Sequence, residues 1–309
     1  MEATVISSAI AQGGGNQNFM NVLPNFPLLV KLVGFANRLP SSHIALKDLA
    51  TGFEASHIRL LNDVLSLRKL LFTSLDRQTQ NRLLSREEVF FLILANPGYD
   101  YAVSFLAVLA IGGIIVPISP HVPIQEAQYF ARKSTATAIL HHPQFAHVAL
   151  SIQKYMFEEV QTPSFATVQS VNALGRYNLE PNQIFIQANK SLDPEKPGLV
   201  IFTSGTTGRP KAVLLPREIL SSGAQALADH FELTHRDVAL HCMPVHHIAG
   251  ISVCFVPFLL SGARLEFEPF RVDRVWERWR SGGITVFGGV VRRHMFQSVK
   301  TSSANTGPP

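Results

Sequence analysis

The sequence predicts an α/β fold of layered, mostly parallel sheets flanked by helices, on three observations. Short β-branched or aromatic runs alternate with longer stretches of helical spacing, the order expected of strands joined by crossover helices. Several runs, such as residues 88–94 (EVFFLIL) and 198–203 (GLVIFT), are apolar throughout, as in strands covered on both faces. Hydrophobic residues make up 46% of the 309 and charged ones 16%, which supports a large core and excludes disorder or a coiled coil.

The elements follow in order. Residues 1–24 read as a loose leader, with Gly13-Gly14-Gly15 and several amides. Helical spacing returns at 27–38 (Leu28, Leu29, Leu32, Val33, Ala36), and a strand is expected at 43–46. A helix at 57–71 follows, with Leu60, Leu61, Val64 and Leu65 on one face, then the strand at 88–94 and the turn Asn96-Pro97-Gly98. From Tyr101 to Ile118 the chain is almost wholly apolar, long enough to raise a membrane span. Gly112-Gly113 divides it, however, into a helix-forming half (AVSFLAVLA) and a β-branched half (IIVPI). A buried helix, a glycine turn and a core strand at 114–117 are therefore expected, with no transmembrane segment.

A helix at 123–133 and a strand at 136–140 come next, while 151–193 is less regular, with a short strand at 183–186. Beyond the strand at 198–203, Pro216 suits the first position of a helix running to 231. Strands are expected at 238–242, 264–267 and 284–287, with helices at 250–260 and 272–280. The second of these helices is amphipathic, with an arginine face in water. Residues 298–309 read as a disordered tail.

The formal charge of +5 comes from 27 basic and 22 acidic side chains, with no basic stripe or reading motif, so no nucleic-acid partner is expected. Two cysteines, Cys242 and Cys254, cannot staple a chain of this length, and the N-terminus carries no secretory or transit pattern. An intracellular, cytoplasmic setting is expected. Cys242, His246 and His247 lack a second paired ligand set for zinc, so no metal residues are assigned. A Gly-x-Ser-x-Gly elbow is also missing, which leaves a serine hydrolase unsupported.

The most informative segment is 200–211 (VIFTSGTTGRPK). An apolar strand runs into four hydroxyl residues (Thr203, Ser204, Thr206, Thr207) and two glycines (Gly205, Gly208), then ends on Lys211. Glycines let backbone N–H groups approach a polyphosphate, hydroxyls donate hydrogen bonds, and the lysine adds a compact cation. At about 4 Å and an effective dielectric near 20, one such charge pair is worth roughly 4 kcal/mol before desolvation. Only two residues separate Gly205 from Gly208 and Ala212 follows Lys211, so this is not the Walker pattern.

At these residues the chain resembles the adenylate-forming superfamily of acyl-CoA synthetases, luciferases and peptide-synthetase adenylation domains, whose signature is close to YTSGTTGxPKG. Phe202 stands for the tyrosine and Ala212 for the last glycine. The stretch 241–250 (HCMPVHHIAG) is similar to a second family motif. There His247 takes the place of the histidine that orients the carboxylate, and His246 that of a wall residue. The stretch from Phe105 to Leu140 is similar to the family's first core, and 283–290 (GITVFGGV) to the strand before Val-Pro-Thr. Malonyl- and medium-chain acyl-CoA synthetases are the nearest-looking branch.

The resemblance implies a partial AMP-binding domain over 25–297. Its phosphate-binding residues would be Thr203, Ser204, Gly205, Thr206, Thr207, Gly208 and Lys211, and its catalytic residues His247 and Lys211. It implies ATP, Mg²⁺ and coenzyme A as cofactor and co-substrates and a small carboxylic acid as partner. The reaction forms an acyl-adenylate and then a CoA thioester. The family's later motifs (Tyr-Gly-x-Thr-Glu, the ribose-holding Asp, the hinge, the small C-terminal domain and its lysine) do not appear. Agreement fails at Val291-Arg292-Arg293-His294, so a C-terminally truncated form is expected. Two readings follow: an acyl-CoA synthetase-type ligase, or an inactive ATP-binding or partner-binding remnant of one.

Overall fold

A computed structural model describes residues 21–203 and 208–289, together with the backbone of Val5–Ile6. The first strands and helices are β1 (Val5–Ile6), β2 (Val22–Asn25), α1 (Pro27–Arg38), β3 (Ile44–Asp48), β4 (Phe53–Ser56), α2 (His57–Ser74) and α3 (Arg77–Leu84). The central elements are β5 (Phe90–Leu94), α4 (Tyr99–Ile111), β6 (Ile114–Pro117), α5 (Ile124–Lys133), β7 (Ala138–His141), α6 (Ala146–Glu158), β8 (Ala166–Gln169), β9 (Phe185–Ser191) and β10 (Pro197–Thr203). Then come β11 (Lys211–Pro216), α7 (Ser222–His230), β12 (Val238–His241), α8 (Val256–Ser261), β13 (Arg264–Phe267), α9 (Val272–Arg280) and β14 (Val286–Phe287).

Two sheets carry the architecture. One has six strands in the order β11-β10-β6-β5-β7-β8, parallel except for β11 against β10. The other has five, in the order β14-β12-β13-β3-β4, parallel except for β4 against β3. A small third sheet joins β1, β9 and β2. The layered, mostly parallel α/β expectation holds.

Strand β5 shows why the apolar runs are continuous. Phe91 and Ile93 point into the central core, whereas Leu92 and Leu94 point into a second core under α5 and α6, with Phe130, Val148 and Ile152. A period of two with both faces covered leaves no polar position. Helix α4 touches β5 and β6 of one sheet, β3 of the other, and α2 between them. Every residue from Tyr101 to Ile111 is consequently buried, as expected for a helix apolar all round. Its hydropathy reflects a central layer: among the described residues no helix is long and apolar enough to cross a membrane.

The glycine pair after α4 does two jobs. Gly112 caps the helix at φ +84°, with Gly113 N–H donating to the Val108 carbonyl at 3.0 Å, the left-handed ending that glycine favours. Gly113 is needed for space, since a Cβ there would lie 2.5 Å from two ring carbons of Phe91.

Several expectations need correction. The leader expected over 1–24 overlaps β2, whose Leu23 is fully buried against β9. Pro216 ends an antiparallel edge strand instead of opening a helix; a short 3-10 turn (Arg217–Leu220) intervenes before α7. Proline is tolerated at either place, and close packing of Gly198 on Arg217 selects the strand. The single helix expected at 250–260 is a π-turn (Ala249–Val253) followed by α8, with Pro257 near the start of α8. Helix α6 extends into the stretch read as irregular, burying Val148, Ala149, Ile152 and Met156. The tail at 298–309 lies outside the described residues.

Helix α9 keeps an arginine face, but not wholly in water. Arg278 reaches the fully buried Glu266 on β13 at 2.5 and 3.1 Å, and Arg264 approaches the same carboxylate at 2.9 Å. Removing Arg278 takes two charge-assisted hydrogen bonds from the buried carboxylate and leaves it with Arg264 alone. Arg278→Ala is expected to cost about 3 kcal/mol in urea unfolding, whereas Arg274→Ala on the exposed side should cost under about 1 kcal/mol. Gly113→Ala should lower stability by about 1–3 kcal/mol through its clash with Phe91.

Candidate functional site

Three strand ends meet the sequence's chemistry: the carboxyl ends of β6, β10 and β12. In open α/β sheets ligands gather outside the carboxyl ends of the strands. Strand β10 delivers Thr203 there, and β11 returns antiparallel with Lys211 opposite it. Between them, Ser204, Gly205, Thr206 and Thr207 lie outside the described residues. Gly208 is exposed, and among the described residues an added Cβ would meet no atom within 4 Å, the room that an approaching phosphate needs. Lys211 is exposed and takes part in no ion pair among the described residues.

Helix α5 anchors the base of this hairpin. Phe202 stacks on Phe130 with ring centroids 4.0 Å apart. The Tyr129 hydroxyl donates to the Pro210 carbonyl at 2.9 Å, and the Arg209 guanidinium lies over the Tyr129 ring at 5.5 Å. Packing and a hydrogen bond thus fix both sides of the loop, while Thr203 Oγ1 makes only a long 3.5 Å approach to the Lys211 carbonyl.

The second motif forms a tight turn after β12. Its glycine is obligatory: a Cβ on Gly250 would sit 2.1 Å from the Pro244 carbonyl oxygen. His247 N–H donates to that same oxygen at 3.2 Å. Nε2 of the buried His241 holds the Gly250 carbonyl at 2.9 Å, and the Tyr101 hydroxyl of α4 donates to the Val245 carbonyl at 2.9 Å. The turn presents His246, half-buried, and His247, exposed, with ring centroids 4.5 Å apart. Burial, helped by the neighbouring His247 and His121, lowers the pKa of His246 to about 4, so this imidazole is neutral at pH 7.

Lys211 and His247 therefore stand at the carboxyl ends of different sheets, and no hydrogen bond or ion pair joins them among the described residues. Sequence reasoning missed His121, Tyr101 and Tyr129, which act on the two motifs from α4, α5 and the loop after β6. His121 and Tyr129 lie within the core-like stretch 105–140, which is their only signal, and Tyr101 lies just before it. Among the described residues no three carboxylates, histidines or cysteines converge as metal ligands.

A family model, AMP-binding enzyme, matches residues 81–301 and takes in both motifs. The chain belongs to the AMP-binding enzyme family. A CoA ligase of Gibberella moniliformis is 29% identical over 238 residues, 77% of this chain and 38% of that protein. A malonate–CoA ligase of Arabidopsis thaliana is 29% identical over 64% of this chain and 34% of its own length. The chain thus spans a little over one-third of these curated relatives. Solved structures share the fold: apo MatB from Rhodopseudomonas palustris aligns with a TM-score of 0.63 at 19% identity, over 84% of this chain and 48% of that one. O-succinylbenzoate coenzyme A synthetase from Bacillus subtilis, in complex with AMP, aligns with a TM-score of 0.65 at 17% identity, over 88% and 50%.

The buried histidines make a pH prediction. His57 and His241 are both lowered from 6.5 to about 4, first by burial, with His43 adding to the effect on His57. Between pH 6.5 and about 4 the unfolded chain binds these two protons and the folded chain does not, so stability falls as pH falls through that window. Urea unfolding at pH 5 should show an uptake approaching about three protons, from these two and from His246, which is likewise lowered to about 4. His57→Leu should remove about one of them; an unchanged pH slope in that variant contradicts the assignment.

Proposed function

We propose that this AMP-binding-family chain activates a small carboxylic acid with ATP, as the adenylating part of an acyl-CoA synthetase-type ligase. The observation that carries the reading is the anchored β10–β11 hairpin, which presents an exposed lysine that takes part in no ion pair among the described residues. In this reading the glycine- and hydroxyl-rich residues 203–208 take the triphosphate through backbone and side-chain donors, and Lys211 balances phosphate charge. Catalysis of this kind comes mainly from placing donors and charge where the transition state needs them.

The acid's carboxylate oxygen attacks the α-phosphorus of ATP. A P–O bond forms, the bond to the β-phosphate oxygen breaks, and pyrophosphate leaves with that electron pair. His247 lies at the rim of the second motif, where it orients the carboxylate, and the neutral His246 beside it leaves the anionic substrate without a second fixed charge. A thiol of the coenzyme A type then displaces AMP from the acyl carbon. Mg²⁺, when bound, would offset triphosphate charge and polarise the transferring phosphoryl group. Free buried thiols at Cys242 and Cys254 suit a reducing, intracellular compartment.

Labelled pyrophosphate exchange into ATP, run across a panel of carboxylic acids that begins with malonate, tests this. Acid-dependent exchange is expected, reduced by about 10²-fold or more in Lys211→Ala and by about 10-fold or more in His247→Ala. Nucleotide binding without exchange for any acid would instead favour an inactive ATP-binding chain. Exchange that survives Lys211→Ala at full rate would remove the hairpin from the mechanism.

A further inference from the structure

We propose that a cavity at the opposite end of the six-stranded sheet binds an anionic amphiphile, an alkyl chain ending in a single negative group. The cavity, of about 180 Å³, lies where α4 ends at Gly112 and β10 begins, between α2, α3 and the segment after β9. Strand β10 runs seven residues from Pro197 to Thr203, so at about 3.3 Å per residue the cavity stands roughly 20 Å from the phosphate loop. It is a separate place from the proposed adenylation site, and its existence does not depend on that reading.

Charge and shape both point to the ligand class. Among the described residues the cavity is lined by the cations Arg68, Arg86, Lys196 and Arg217 and by the carboxylate Asp193, while Glu88 lies near enough to act on Arg217. Arg217 is 6% exposed; its Nη2 donates to the Gly112 carbonyl at 2.9 Å and its Nη1 reaches the Asp193 carbonyl at 3.4 Å. Its Nε–H has no partner among the described residues, and a buried donor without a partner is costly unless a ligand or water supplies one. Arg86 and Lys196 stand exposed at the mouth. The remaining wall is apolar, with Phe72, Leu83, Ile111 and Leu192. A site of this make-up favours an apolar body fixed by one anionic head.

Titration with octanesulfonate, followed by protein-observed NMR or calorimetry, tests the proposal, since a sulfonate stays anionic and cannot be adenylated. Saturable binding is expected, with octanol at least about tenfold weaker because the head carries the recognition. Arg217→Gln should weaken binding by about tenfold or more. As Arg217 also supports the fold, the surface variants Lys196→Glu and Arg86→Glu provide a second reading, each weakening binding several-fold. Lys211→Ala should leave the affinity unchanged. Octanol binding as tightly as octanesulfonate, affinity unmoved by Lys196→Glu and Arg86→Glu, or loss of binding in Lys211→Ala would each overturn the proposal. So would the absence of saturable binding to the unaltered protein.

Discussion

A helix with no polar face has to be covered on every side, and α4 imposes that constraint on the whole molecule. Its residues Tyr101 to Ile111 are buried between the two principal sheets, so neither sheet can shift without opening water to the layer between them. The cost of such opening is large, since each fully buried Leu, Val or Phe contributes on the order of 1.5–3 kcal/mol. The burial also dictates a polar contact. Tyr101 takes its hydroxyl into the core, where an unpaired donor costs about 1–3 kcal/mol, and the acceptor it finds is the Val245 carbonyl. The central layer thereby fixes the turn that presents His246 and His247.

The two motifs are held by different means. The histidine turn is fixed from within: Gly250 lies against the Pro244 carbonyl, His241 holds the Gly250 carbonyl, and Tyr101 reaches in from α4. The hairpin bearing Lys211 is fixed from beside, by Tyr129 and Phe130 of α5, while its outer strand stays exposed. A lysine that is exposed and makes no ion pair among the described residues keeps its side chain available to a ligand. Were a carboxylate seated beside it, a phosphate would have to displace that partner first, at the loss of an existing interaction.

How legible the sequence was follows from the same division. Strands covered on both faces, such as β5 and β10, read directly as apolar runs, and α4 read as a buried helix because Gly112-Gly113 marked its end. The phosphate-binding role proposed for 203–211 comes from composition alone, since hydroxyls, glycines and a lysine state their chemistry without a partner. Edge strands did not read well: β4 and β8 are only partly covered and lack a strong apolar pattern. Pro216 was ambiguous because proline fits both the end of an edge strand and the start of a helix. Contacts across 144 residues, as between Tyr101 and Val245, leave no local trace at either end. The obligatory glycine at 250 likewise depends on where the Pro244 carbonyl comes to lie.

The two ends of a parallel sheet differ electrostatically, and this chain uses the difference. Crossover helices begin near the carboxyl ends of the strands, where N–H groups and positive dipole ends favour anions. They finish near the amino ends, where unpaired carbonyls call for cations. Arg217 answers that need at the end of α4 by donating to the Gly112 carbonyl. One guanidinium suffices for that carbonyl, yet Arg68, Arg86 and Lys196 line the same cavity. Arg68 is also engaged, through its bond to the Val22 carbonyl, and Arg86 through its bond to the Asn189 carbonyl. Neutral carbonyls satisfy donors of Arg217 and Arg86 without compensating their charge, and among the described residues Asp193 and Glu88 are fewer than the three cations Arg86, Lys196 and Arg217. A net positive field around a partly apolar cavity remains, and an anion with an apolar tail meets both properties at once.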